Sequence, residues 1–199
     1  RRALRPDPAD ARAWNNLGSV ALARGAPSVA VEHLRRAADL DPGTAIYRIN
    51  LADALNAAGH QEEADGEFRA AAAAAPELAE AHRGLGEVAL RRGDLAAAEA
   101  EFLRAAGGPE PSARACNFLG YLLARRGAAR AAADQYERAL RIDPGLADAH
   151  ASLGLLYAGP LGDRERAVAH LKTSLRLDPG QAGAPRLREA LRRLGAAGP

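Results

Sequence analysis

A chain of 199 residues carrying 27 basic and 25 acidic side chains sits near charge balance, at +2, which argues against a dedicated electrostatic nucleic-acid binder. Apolar residues make up 48% of it but aromatics only 4%, so closely packed helices are expected rather than a thick aromatic core. β-Branched residues are too sparse for strands, Cys116 is the only cysteine and forms no intrachain disulfide, and no apolar run reaches membrane-span length.

The opening residues copy a later segment: in Arg1-Arg2-Ala3-Leu4-Arg5-Pro6-Asp7-Pro8, the seven from Arg2 match Arg138-Ala139-Leu140-Arg141-Ile142-Asp143-Pro144 at all but one position. The chain is therefore expected to start inside a structural unit, with 1–10 the remnant of an upstream one. A period of 34 follows. Leu17-Gly18, Leu51-Ala52, Leu85-Gly86, Leu119-Gly120 and Leu153-Gly154 keep it, as do Ala30, Ala64, Ala98 and Ala132. Pro8, Pro42, Pro76 and Pro144 mark the joints. A strict period of this length means one supersecondary unit stacked on copies of itself. The units fall at 11–44, 45–78, 79–112, 113–146 and 147–181.

The unit at 113–146 shows the design. Cys116, Leu119, Gly120 and Leu123 form one helical stripe. Gly127 stands where a helix commonly ends. Ala132, Ala133, Tyr136, Ala139 and Leu140 form a second stripe, stopped by Asp143-Pro144. Two antiparallel helices result, with Gly120 expected to face Ala132 at the point of closest approach. Two units depart from the frame. Gly107-Gly108-Pro109-Glu110-Pro111 replaces the joint after the third, and Pro160-Leu161-Gly162-Asp163 lengthens the inner turn of the fifth by one residue. Residues 182–199 carry a last amphipathic helix, with Leu187, Ala190, Leu191 and Leu194 on one stripe and arginines around it. Its expected role is to cap the stack, since terminal repeats need a polar outer face.

These positions resemble the tetratricopeptide repeat. Trp14, Leu17-Gly18, Ala21, Ala30, Leu34, Ala37 and Pro42 fall on its W…LG…Y…A…F…A…P frame, and the later units follow in register. The resemblance implies an all-α fold: a right-handed α-solenoid of stacked antiparallel helix hairpins with a C-terminal capping helix. It also implies a concave groove, lined by the first helices, that binds extended peptide.

Outward positions of those helices are the candidate binding residues: Arg12, Asn15, Asn16 and Ser19; Ile49, Asn50 and Asp53; Arg83, Glu87 and Arg91; Arg114, Asn117, Tyr121 and Arg125; Asp148 and Leu155. Asn16 and Asn50 share a register, and asparagine can hold a peptide backbone without reading its sequence. Such a ladder resembles the groove of O-GlcNAc-transferase-type repeats, though it breaks at Gly84, Phe118 and Ser152. Arg83, Arg91, Arg114 and Arg125 would attract an acidic peptide by carboxylate pairing. The Lys/Asn carboxylate clamp of chaperone-binding relatives is absent from the matching positions.

No catalytic, metal or cofactor constellation emerges. His82 and His150 occupy the wall position of Trp14, His33 and His170 precede the large second-helix residue, and His60 lies in a turn, so a structural role is expected for all five. The serines lack a His/Asp partner set, and no glycine-rich phosphate loop is present. The expectation is a non-enzymatic scaffold for a protein or extended peptide, with no cofactor, nucleic acid or membrane insertion, and with self-association open to its exposed repeat ends. The alternative is the substrate-docking arm of a larger glycosyltransferase- or sulfotransferase-type enzyme.

Overall fold

A computed structural model describes residues 10–196. Among them are eleven helices and no strand. They divide into two compact units, residues 1–94 and 95–199. The remnant expected at 1–10 lies almost wholly outside the described residues, as do positions 197–199.

Unit one holds α1 (Ala11–Ala23), α2 (Pro27–Leu40), α3 (Ala45–Ala58), α4 (Gln61–Ala74) and α5 (Ala79–Arg91). Asp10 starts α1 by accepting a hydrogen bond from the Ala13 amide, 3.0 Å, satisfying one of the orphan donors of a helix N-terminus. Gly59 ends α3 in the left-handed region, φ 87°, a conformation that costs a β-carbon. The turn is short enough for α4 to fold straight back on α3. Ala30, Leu34, Ile49, Leu51, Leu55, Phe68 and Val88 bury their side chains in one core. Helices approach closely where a glycine meets a large side chain. A β-carbon on Gly18 would stand 2.4 Å from Leu34 Cγ, and one on Gly84 would stand 2.1 Å from Phe68 Cδ1.

Unit two holds α6 (Leu95–Gly107), α7 (Ala113–Arg125), α8 (Ala129–Ile142), α9 (Ala147–Ala158), α10 (Arg164–Leu177) and α11 (Ala184–Arg193). Phe102 of α6 stacks on Phe118 of α7, centroids 4.8 Å apart and planes within 7°. Gly120 meets Tyr136, 2.7 Å from ring to β-carbon position. The glycine accommodates the ring of the large second-helix residue, one turn beyond the small alanine. Gly154 meets Leu171 in the same way. The departure at 107–111 is absorbed by Ser112, whose hydroxyl caps α7 at the Ala115 amide, 3.4 Å. The lengthened turn after α9 ends at Asp163, which caps α10 through the Arg166 amide, 3.0 Å.

α11 caps the array. Leu187 and Leu191 are buried with Leu171, Leu175 and Ala184, and Arg164 Nε donates to the Leu194 carbonyl, 2.8 Å. Gln181 fixes the approach by donating from Nε2 to Ser174 O, 3.2 Å, Ser174 Oγ, 3.0 Å, and Asp178 O, 2.8 Å. Among the described residues no helix is long and apolar enough to cross a membrane.

Candidate binding faces on the first helices

In unit one the first helices are α1, α3 and α5. Asn50 Nδ2 donates to Asn15 Oδ1, 2.7 Å, and Ser19 Oγ donates to the Asn15 carbonyl, 3.0 Å. The asparagine partnership therefore runs between Asn15 and Asn50, while Asn16, expected in the ladder, is exposed beside it. Ser19, Leu22, Ala23, Leu34, Asn50 and Asp53 line a cleft of about 260 Å³ between α1 and α3. Arg12 is exposed on the same helix. Ile49 corrects an expectation: it is 2% exposed and belongs to the core.

Arg83 is a larger correction. It is not an exposed wall residue but a buried one, 1% accessible. Its guanidinium donates from Nε to Glu80, from Nη1 to Glu87 and from Nη2 to both Asp53 oxygens, 2.9 and 3.0 Å. It also lies 5.6 Å from the centroid of the Phe68 ring. Burial by itself would lower the guanidinium pKa, but Asp53, Glu87 and Glu80 outweigh it and hold the group above the ordinary arginine range. Arg91 is also engaged: its Nη2 donates to Asp65 Oδ1, 2.6 Å, while Arg92 donates to Asp65 Oδ2, 2.7 Å. Arg83 is therefore not available to a peptide carboxylate, while Arg91 stays exposed with its Nη2 committed to Asp65. Three carboxylates against one guanidinium leave the Asp53–Glu80–Glu87 neighbourhood acidic.

In unit two the first helices after the break are α7 and α9. Arg114, Tyr121 and Arg125 are exposed on α7, with the Arg125 guanidinium 5.9 Å from the Tyr121 ring centroid. Asn117 is half-buried, and its Oδ1 is buried without a hydrogen-bond partner. On α9, Asp148 is exposed and Leu155 packs against the cluster beneath the cap.

His33, His150 and His170 act as ring partners. Trp14 and His33 stand 5.3 Å apart by centroid, and His150 and His170 stand 5.1 Å apart in the corresponding hairpin. His150 Nδ1 meets His170 Nδ1 at 2.9 Å, and His150 Nε2 meets the Pro144 carbonyl at 3.1 Å. Burial, then the His150 and Arg166 charges, lower the His170 pKa against the opposing pull of Glu137. Burial pushes the Cys116 thiol up. Among the described residues no three His, Cys, Asp or Glu side chains gather as metal ligands would.

The tetratricopeptide repeat family matches over residues 1–45 and 49–112, and again over 113–146 and 147–181. The chain belongs to this family. Its helices also superpose on solved tetratricopeptide structures. The Cut9–Hcn1 hetero-tetramer of the APC/C gives a TM-score of 0.76 at 23% identity, over 94% of this chain and 37% of that one. The thermophilic tetratricopeptide protein TTC0263 of Thermus thermophilus gives 0.74 at 22% identity, over 92% and 100%. YrrB, described as a tetratricopeptide protein with an unusual peptide-binding site, gives 0.51 at 23% identity, over 92% and 94%. At these identities the likeness is one of fold. No curated protein sequence matches the chain significantly.

Proposed function

We propose that the chain is a non-enzymatic interaction scaffold that holds a peptide or a partner protein against its first-helix faces. The observation that carries this reading is the α1–α3 cleft. There the hydrogen-bonded Asn15–Asn50 pair and Asp53 stand beside Leu22 and Ala23, with Leu34 buried behind them, so backbone-binding groups and apolar surface meet in one recess. Membership of the tetratricopeptide family supports an interaction role in general, and the peptide site ascribed to YrrB supports a peptide ligand by analogy of fold.

The side chains set different preferences on the two units. In unit one the carboxylates around Arg83 favour a segment carrying a cation, the reverse of the acidic ligand expected from the arginines. In unit two the exposed Arg114 and Arg125 with Tyr121 favour a carboxylate.

Photo-crosslinking tests the reading. A benzophenone side chain placed at Ser19 or Tyr121 should capture partner peptide, and one placed at Arg69 of α4 or Ala131 of α8, both exposed on second helices, should not. Capture from the second-helix positions alone would reject it.

A further inference from the structure

We propose a second binding site, away from the first helices: the cleft between α10 and α11 takes a carboxylate-rich segment of a partner protein. The cleft is about 540 Å³ and is lined by Lys172, Thr173, Leu175, Arg176, Pro179 and Arg188. It is cationic because its charges are not neutralised from within. Lys172 and Arg176 are exposed and form no ion pair among the described residues, and Arg188 spends one Nη2 contact on the Pro179 carbonyl, 3.2 Å. One acidic neighbour is occupied elsewhere. Glu189 accepts from Arg192 and Arg193; Asp178, whose Oδ1 accepts from the Gly180 amide, 3.1 Å, keeps its charge, so three cations stand against one carboxylate at the cleft.

The floor decides which anion fits. Pro179 is exposed in the cleft and buried Leu175 closes it from behind, so the lining between the cations is apolar, and an isolated phosphate would leave it bare. Lys172 and Arg176 stand one helical turn apart, about 6 Å along the axis. Alternate side chains of an extended strand recur at about 6.6 Å. A segment with carboxylates at every second position, and apolar residues between, reaches both cations while covering the floor. Single-stranded nucleic acid has the charge spacing but binds through a stacking platform as well. The only aromatic ring on α10 or α11 is His170, which is already engaged with His150.

The test uses the whole chain and a dye-labelled peptide with alternating glutamate and leucine, read by fluorescence anisotropy. The peptide should bind, its glutamine counterpart should not, and affinity should fall as salt rises. Lys172→Glu combined with Arg176→Glu should weaken binding about 30-fold while the chain stays folded, its melting midpoint lowered by about 2–4 °C because Arg176 lies in the last turn of α10. Lys172→Gln combined with Arg176→Gln, which introduces no anion, should weaken binding as well. Arg114→Ala combined with Arg125→Ala should leave this binding intact, which separates the site from the exposed arginines of the α7 face. Lys172 is the only lysine of the chain, so its acetylation can be followed by mass spectrometry, and the peptide should slow it. Equal affinity in either variant of Lys172 and Arg176 overturns the proposal. So does displacement of the peptide by millimolar phosphate or by oligothymidylate as readily as by unlabelled peptide. A concentration-dependent dimer that Lys172→Glu/Arg176→Glu abolishes would assign the cleft to a second copy instead.

Discussion

Arg83 Nη2 on α5 donates to both carboxylate oxygens of Asp53 on α3, thirty residues earlier. Glu80 and Glu87 close on the remaining nitrogens, so a nearly inaccessible guanidinium ties two first helices of unit one together. Removing one partner of a buried ion pair costs about 3–5 kcal/mol. The three carboxylates keep 21–39% of their side-chain surface, so water can recover part of that. Arg83→Ala should therefore lower stability by about 3 kcal/mol, with Arg83→Lys intermediate, since an ammonium cannot bridge three acceptors in that fork geometry. Urea unfolding measures it; a loss under about 0.5 kcal/mol, the usual range for surface substitutions, would show that the cage contributes little.

The packing frame was legible in the sequence and this cage was not. The period of 34, the small-residue positions and the terminal stripe of Leu187 and Leu191 all express burial, and burial repeats from unit to unit. Arg83 looked like any arginine on a solvated helix. Its signal was weak but present: carboxylates stand at i−3 and i+4 on its own stripe. Asp53 lies one helical turn beyond Ile49, the residue one period before Arg83. Ile49 was misplaced for a related reason. It holds the same register as Arg83, and that register is buried on α3 and α5 alike. The ring pairs were readable in principle. Trp14 and His33 are nineteen residues apart, and His150 and His170 are twenty apart because of the inserted residue in the turn between them.

Two glycines of unit one should respond in opposite directions. Gly84 has no room for a β-carbon, since the Phe68 ring would lie 2.1–2.5 Å away. Gly84→Ala forces α5 off α4 and should cost about 1–3 kcal/mol, as overpacking does. Gly66 lies inside α4, exposed, with nothing within 4 Å of the added carbon. Gly66→Ala should stabilise by about 0.5–1 kcal/mol through helix propensity alone. Thermal melting of the two variants beside the parent reads both signs, and a stabilised Gly84→Ala would contradict the packing described.

The His150–His170 contact should make the fifth hairpin sensitive to acid. The His150 Nε2–H donates to the Pro144 carbonyl, so neutral His150 accepts at Nδ1 from His170 Nδ1–H. Protonating His170 puts a charge on a half-buried ring that also faces the Arg166 guanidinium. The folded pKa of His170 is lowered, so the unfolded chain binds more protons as pH falls. Stability is therefore full above the unfolded histidine pKa, about 6.5, and is lost as pH falls from there toward the folded value. Melting midpoints taken between pH 8 and pH 5 should fall for the parent. In His170→Asn that part of the dependence should disappear, and an identical slope in the variant would assign the acid sensitivity to other groups.

Cys116 offers a direct reading of α7. The thiol is fully buried and burial raises its pKa, so both access and thiolate content are low. A disulfide reagent such as dithiobis-nitrobenzoate should label it slowly in native buffer and rapidly in denaturant. Gly120→Ala would place a β-carbon 2.7 Å from the Tyr136 ring, on the same helix as Cys116, and should loosen the α7–α8 contact by about 1–3 kcal/mol. If labelling proceeds through opening of that hairpin, the native-state rate should then rise by about 5- to 150-fold, the factor such a free-energy change implies. A parent protein that labels at the denatured rate would show that the thiol is not shielded. A variant that labels no faster than the parent would show that Gly120 does not limit the opening.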